Sequence, residues 1–455
     1  MISMKPRYKP DWESLREHTV PKWFDKAKFG IFIHWGIYSV PGWATPTGEL
    51  GKVPMDAWFF QNPYAEWYEN SLRIKESPTW EYHVKTYGEN FEYEKFADLF
   101  TAEKWDPQEW ADLFKKAGAK YVIPTTKHHD GFCLWGTKYT DFNSVKRGPK
   151  RDLVGDLAKA VREAGLRFGV YYSGGLDWRF TTEPIRYPED LSYIRPNTYE
   201  YADYAYKQVM ELVDLYLPDV LWNDMGWPEK GKEDLKYLFA YYYNKHPEGS
   251  VNDRWGVPHW DFKTAEYHVN YPGDLPGYKW EFTRGIGLSF GYNRNEGPEH
   301  MLSVEQLVYT LVDVVSKGGN LLLNVGPKGD GTIPDLQKER LLGLGEWLRK
   351  YGDAIYGTSV WERCCAKTED GTEIRFTRKC NRIFVIFLGI PTGEKIVIED
   401  LNLSAGTVRH FLTGERLSFK NVGKNLEITV PKKLLETDSI TLVLEAVEEH
   451  HHHHH

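Results

Sequence analysis

From Phe29 to about Gly326 the chain repeatedly offers a short β-rich run that ends in polar residues, and through the first half each run is followed by a helical pattern. That alternation marks a parallel α/β fold. The first run is Phe29-Gly30-Ile31-Phe32-Ile33-His34-Trp35-Gly36 and the second is Tyr121-Val122-Ile123-Pro124-Thr125-Thr126-Lys127-His128-His129. Between them Asp106 suits an N-cap, Pro107 the first helical position and Gly118 the stop, with Trp110, Leu113, Phe114 and Ala117 recurring at helical spacing. The next unit repeats the design: Val154, Leu157, Ala158 and Val161 share a face, Gly165 closes the helix, and Arg167–Tyr172 is a strand.

A long helix up to Leu217, ended by Pro218, delivers the strand Asp219–Asp224. Further β-like runs follow at Ser250–Arg254, Ala265–Val269 and Lys279–Phe282, with little helical pattern between the last of them. A helix around Val304–Val315, the strand Asn320–Val325 and a helix from about Leu336 to Lys350 complete this part. After about Gly357 the texture changes to short alternating runs separated by Gly, Pro and Asn. The expected fold is a (β/α)8-like TIM barrel, irregular in its second half, over residues 1–356. A C-terminal antiparallel β-sandwich follows over 357–449, and a histidine tag occupies 450–455.

In such a barrel the groups that do chemistry sit at the C-terminal ends of strands. The polar residues there are His34, His128 with His129, Tyr171, Asp224 and Arg254, all expected on one rim. Asp224 ends an apolar run that would not otherwise tolerate a charge, between Trp222 and Trp227. As an isolated feature it reads equally well as a helix cap; its company favours sugar hydrolysis. That reaction needs one carboxylate at the anomeric carbon, a second acid for the leaving oxygen and neutral donors for hydroxyls. His128-His129-Asp130 contains zinc-ligand residue types, but adjacent strand residues point to opposite sides, so the pair would chelate one ion only if the strand broke there. The literal GxSxG at Gly287–Gly291 is followed by a loop instead of the helix a nucleophile elbow needs, and Gly326–Gly331 lacks Walker spacing and reads as a turn.

The blocks Lys28–Gly36, Lys127–Phe132, Trp222–Asp224 and Gly319–Pro327, in that order, resemble the α-L-fucosidases, a family of retaining glycoside hydrolases. The stretch Pro272–Thr283 resembles that family's signature around Lys279-Trp280-Glu281, with Thr283 standing where cysteine is expected. This departure touches no residue assigned to chemistry. The resemblance implies Asp224 as nucleophile in a double displacement, with His34, His128, His129, Tyr171, Trp222 and Arg254 around the sugar. It also implies Glu66 and Trp67 reaching in from an early loop, and Phe290 against the methyl group of the deoxy sugar. Glu266 is the preferred acid/base, because strand alternation lets it project inward; Glu66 and Glu281 are its rivals. No cofactor and no metal are expected. The alternatives from other classes are a metal-dependent barrel hydrolase and a non-catalytic sugar-binding protein.

Composition limits the partners. The net charge of −8 is spread without a basic cluster, which disfavours nucleic acid and anionic membrane as partners. No run is long and apolar enough for a membrane span and the first residues lack a signal-peptide core, so a cytoplasmic protein is expected. The aromatic share of 15% suits a cleft in which rings pack on the apolar face of a small fucosylated glycan or glycoside. Helical surfaces permit a homo-oligomer. Four cysteines, Cys133, Cys364, Cys365 and Cys380, without CxxC spacing, are expected as reduced thiols, with Cys364 and Cys365 on opposite faces of a strand.

Overall fold

The computed structural model describes residues 7–448, so the histidine tag lies outside the described residues. Nine parallel segments form the main sheet: β1 Phe29–Ile33, β2 Tyr121–Lys127, β3 Arg167–Phe168, β4 Val170–Ser173, β5 Val220–Asp224, β6 Ser250–Val251, β7 Lys263–Glu266, β8 Trp280–Gly285 and β9 Gly319–Val325. Their spatial order is β6-β5-β4-β2-β1-β9-β8-β7, with β3 beside β2. The sheet curls as a TIM-like barrel, and every register is parallel. β1 is the central strand, paired with both β2 and β9. Gly30 is required there, since a side chain would collide with the Tyr121 ring.

Helices α1 Pro107–Lys116, α2 Leu153–Glu163, α3 Tyr199–Tyr216, α4 Leu235–Lys245, α5 Val304–Ser316 and α6 Asp335–Tyr351 cover the sheet. The Asp106 carboxylate accepts from the Gln108 and Glu109 amides, as an N-cap should, and Leu217 ends α3 in the left-handed region at φ 42°. Neither the β6–β7 nor the β7–β8 connection holds a helix, which is the expected irregularity of the second half. β6 and β7 share no ladder; Arg254 Nε donates to Thr264 Oγ1 at 2.8 Å, and the Thr264 hydroxyl donates to Asp253 at 2.8 Å across this seam. The seam brings Arg254 to the barrel mouth.

From Cys365 onward the chain forms two antiparallel sheets, one of five strands and one of three, around Ile374, Phe376, Val385, Ile398, Leu426 and Leu444. Two of these strands, Cys365–Lys367 and Ser418–Val422, escape the sequence pattern; the second is exposed apart from Phe419, half-buried against the core, and carries no apolar alternation. The five-stranded sheet rests on α5 and α6: Arg375 Nε donates to Asp313 at 2.6 Å, and Trp347 Nε1 donates to Thr441 Oγ1 at 2.9 Å. The expectation of reduced, divergent Cys364 and Cys365 is corrected, for the two are joined in a disulfide. Cys364 precedes the strand, so strand alternation does not separate the two sulfurs. Cys133 is a buried free thiol and Cys380 an exposed one.

Candidate active site

All the residues proposed from sequence for the site line one pocket of about 330 Å³ at the C-terminal ends of the barrel strands. No residue after Phe290 contributes to its lining, so the β-sandwich stands apart from it.

Two carboxylates face each other there. Asp224, the last residue of β5, accepts from the Tyr171 hydroxyl at 2.6 Å through Oδ2 and from Arg254 Nη1 at 3.0 Å through Oδ1. Glu266, the last residue of β7, accepts from the same Arg254 Nη1 at 3.1 Å through Oε1 and from the Tyr64 hydroxyl at 2.7 Å through Oε2. Each carboxylate therefore has one oxygen on a shared guanidinium nitrogen and the other on a tyrosine of its own. Those two shared oxygens lie no farther apart than the two contacts laid end to end. Arg254 also lies over the Trp222 ring at 4.7 Å, which fixes the guanidinium plane.

The backbone after Asp224 is clamped. Met225 adopts φ 66°, and its carbonyl accepts from Arg195 Nη1 at 2.8 Å. Asn223 Nδ2 donates to the carbonyls of Gly226 and Arg254, and the Asp224 carbonyl accepts from Gly175 N. Gly175 admits no side chain, because one would run into the Met225 carbonyl.

The imidazoles are neutral donors and acceptors. His34 Nδ1–H donates to Asn324 Oδ1 at 2.7 Å, and burial pushes its pKa down to about 4. Its Nε2 is left as an acceptor. His129 Nδ1–H donates to Ser173 Oγ at 2.6 Å, since that hydroxyl spends its own proton on the Leu176 carbonyl. Burial and neighbouring imidazoles or cations hold His128 and His129 well below the usual histidine range. Buried His128 Nδ1 has no partner among the described residues, as expected of a group kept for a ligand.

The strand breaks before His128, so alternation does not separate His128 from His129. β2 ends at Lys127, the chain turns, and the two rings lie 3.9 Å apart on the same side. His128, His129 and Asp224 thus bring ligand atoms within 4.8 Å of one another, as do His34, Glu66 and His128. Asp224 is nevertheless committed: both its oxygens hold donors, one of them a guanidinium cation. A metal would have to displace that cation.

The rival glutamates separate cleanly. Glu281 is fully buried beneath the pocket and outside its lining, its oxygens accepting from the Tyr121 hydroxyl at 2.6 Å and Trp222 Nε1 at 2.8 Å. Burial raises its pKa to about 7. Glu66 does line the pocket, from the 3₁₀ turn Ala65–Trp67, with Oε1 accepting from Gly291 N at 2.9 Å. Burial raises its pKa to about 8, so at neutral pH it carries a proton to donate. Trp67 stands edge-on to His129 at 5.0 Å, and Phe290 packs on His34 at 4.8 Å. The GxSxG serine, Ser289, lies in a loop and donates to the Gly291 carbonyl at 2.7 Å, so it is no nucleophile elbow.

Sequence reasoning missed Tyr64, which carries no periodic signal; only its place two residues before Glu66 hinted at the pocket. Thr283, expected to touch no residue assigned to chemistry, lies beside one. This substitute for the signature cysteine is the register partner of Glu266 and lines the pocket, with no hydrogen-bond partner for its hydroxyl among the described residues.

Two arginine-linked carboxylates at the mouth of a parallel barrel, in a pocket of neutral imidazoles and aromatic rings, suit glycoside hydrolysis. The alpha-L-fucosidase family model matches residues 2–353, and the chain belongs to this family. Human plasma alpha-L-fucosidase is 38% identical over 409 residues, which cover 86% of this chain and 81% of that protein. Alpha-L-fucosidase of Dictyostelium discoideum is 37% identical over 368 residues, covering 78% and 75%. Among solved structures, Thermotoga maritima alpha-L-fucosynthase D224G, in complex with α-L-Fuc-(1-2)-β-L-Fuc-N3, superposes with a TM-score of 0.95 at 98% identity, covering 97% of this chain and 100% of that one.

Proposed function

We propose that the chain is a retaining exo-acting α-L-fucosidase in which Asp224 is the nucleophile and Glu266 the acid/base. The observation that carries this reading is the single Arg254 nitrogen bonded to both carboxylates. One oxygen of each carboxylate is thereby kept within two hydrogen bonds of the other, a spacing that supports the roughly 5–5.5 Å of retaining enzymes over the roughly 6.5–9.5 Å that admits a water in inverting ones. An Asp224 oxygen forms a bond to C1 as the C1–O bond to the leaving group breaks, and Glu266 gives its proton to the departing oxygen. Water then attacks C1, Glu266 takes its proton, and the ester bond to Asp224 breaks. Two inversions give net retention.

Around the ring, His34 and His129 supply Nε2 acceptors and His128 its free Nδ1, while protonated Glu66 donates. Trp67 reaches in beside them, and Phe290 packs against the methyl group. Tyr171 serves the sugar indirectly, its hydroxyl being held on Asp224. The occurrence of fucosyl groups in the Thermotoga maritima structures, one a complex with fucose, supports a fucoside substrate.

The test is a pair of variants assayed on an aryl α-L-fucoside. Asp224→Gly should abolish turnover and, with azide, yield the β-linked fucosyl azide. Glu266→Gly with azide should yield the α-linked azide. An α-linked product from Glu66→Gly would move the acid/base role to Glu66, and no turnover by the intact protein would leave a sugar-binding protein.

A further inference from the structure

Strand β9 is apolar from Leu321 to Val325 except at Asn324, which is 1% exposed and does not line the pocket. A buried amide in such a run needs partners for both its ends. It finds them in two residues assigned to the sugar: Nδ2 donates to the Phe290 carbonyl at 2.6 Å, and Oδ1 accepts from His34 Nδ1 at 2.7 Å.

The polarity of these contacts is not free. A main-chain carbonyl only accepts, so the Phe290 carbonyl turns the NH2 end of Asn324 toward itself and leaves the oxygen for His34. That oxygen requires a proton on Nδ1, and burial, which pushes the His34 pKa down to about 4, leaves Nε2 without one. The His34 backbone is tied to the same strand, its N–H donating to the Val325 carbonyl at 3.2 Å. The Phe290 loop is pressed equally close. A side chain at Gly326 would meet the Phe290 carbonyl at 2.7 Å, and the next residue of the loop, Gly291, donates its N–H to Glu66 at 2.9 Å.

We propose that Asn324 is a positioning residue for recognition of the sugar ring: it fixes His34 as a hydroxyl acceptor and holds Phe290 where a methyl group fits and a hydroxymethyl group does not. The inference rests on the fucoside reading of the pocket and deepens it. A carboxylate at this position accepts from Nδ1 but cannot donate to Phe290. It favours the imidazolium, which has no lone pair left for a sugar hydroxyl, and it repels the Phe290 carbonyl. An alanine releases both groups and adds no charge. The other titratable groups facing His34 are His128, Tyr171, Glu66 and Asp224; none of them is bonded to Nδ1, and both substitutions leave them in place.

The experiment compares kcat/KM of the native protein, Asn324→Asp and Asn324→Ala on an aryl α-L-fucoside and on the matching α-L-galactoside, which adds a hydroxyl at C6. Urea unfolding checks that each variant is folded. Relative to native, Asn324→Asp should be weakest near pH 5 and regain about tenfold or more by about pH 8, because an adjacent carboxylate raises a histidine pKa by roughly one to three units. Asn324→Ala should lose about five- to tenfold at every pH in that range. Both should lower the fucoside-to-galactoside preference by about threefold or more. A pH-independent ratio for Asn324→Asp overturns the proposal, as does a preference unchanged in both variants. Should the variants not fold, nitrogen-15 histidine spectra of the native protein decide, with the His34 signal assigned by its loss in His34→Gln: the neutral Nδ1–H tautomer is expected near pH 6, and an Nε2–H tautomer or an imidazolium overturns the proposal. Equal turnover of fucoside and galactoside by the native protein would instead overturn the fucoside reading of the pocket, and this assignment with it.

Discussion

Glu281 is a rival carboxylate whose ionisation the pH dependence of stability tests directly. It is fully buried, holds the Tyr121 hydroxyl and Trp222 Nε1, and is pushed up from 4.5 to about 7, chiefly by burial. Its folded-state value lies above the unfolded one, so between about pH 4.5 and 7 the folded protein holds the proton more tightly than the unfolded chain, and stability falls as pH rises through that window. At about 1.4 kcal/mol per pH unit the loss is roughly 3 kcal/mol, complete above about pH 7.

Glu281→Gln mimics the protonated acid: its amide can donate to the Tyr121 oxygen and accept from Trp222. The variant should match the native protein near pH 4.5 and exceed it by roughly 3 kcal/mol at pH 8, measured by urea unfolding of both proteins across that range. Its kcat/KM on an aryl α-L-fucoside should stay within about a factor of three of the native value. A stability difference that does not change with pH would refute the titration argument. Lost turnover rescued by azide would make Glu281 the acid after all.

Other expectations follow from the same contacts. Tyr64→Phe removes a hydrogen bond to a charged group, worth about 1.5–3 kcal/mol, so it should slow fucosides with poor leaving groups by about ten- to hundredfold. Activated aryl fucosides should slow far less, and the substitution should add nothing in a Glu266→Gly background; equal losses throughout would mean that Tyr64 does not act through Glu266. Lys127 and Asp177 form a fully buried pair at 2.9 Å, so Lys127→Met should cost about 3–5 kcal/mol in urea unfolding, and adding Asp177→Leu should restore part of it. Dialysis against a chelator should leave turnover unchanged, because Arg254 already occupies Asp224; a loss restored by added metal would reinstate a metal site at His128, His129 and Asp224.

Much of the site was legible in the chain because a parallel barrel sends the ends of its strands to one rim. A charge closing an apolar run, as Asp224 closes Val220–Trp222, therefore marks a rim position before any coordinates exist. His34 follows as a polar residue just past the end of β1, whereas Arg254 lies three residues beyond the end of β6 at Val251 and not at the strand end expected of it; Glu66, Trp67 and Phe290 come by family resemblance. The helices were equally open to reading where cap and stop residues bracket a period of 3.6, as Asp106 and Gly118 bracket α1.

What sets the three glutamates apart is visible only in the tertiary structure. Each sits in a short stretch of similar pattern; what distinguishes them is whether Arg254, Gly291 or Trp222 meets the carboxylate, and those neighbours come from distant strands and loops. The end of β2 at Lys127 likewise decided that His128 and His129 share a side, a break set by the turn back toward Phe132 and not by any local signal. Hydrophobic periodicity determines which elements form and which way each faces. The pairing of one guanidinium with two carboxylates depends on where the barrel seam between β6 and β7 places Arg254, and only the packed chain determines that.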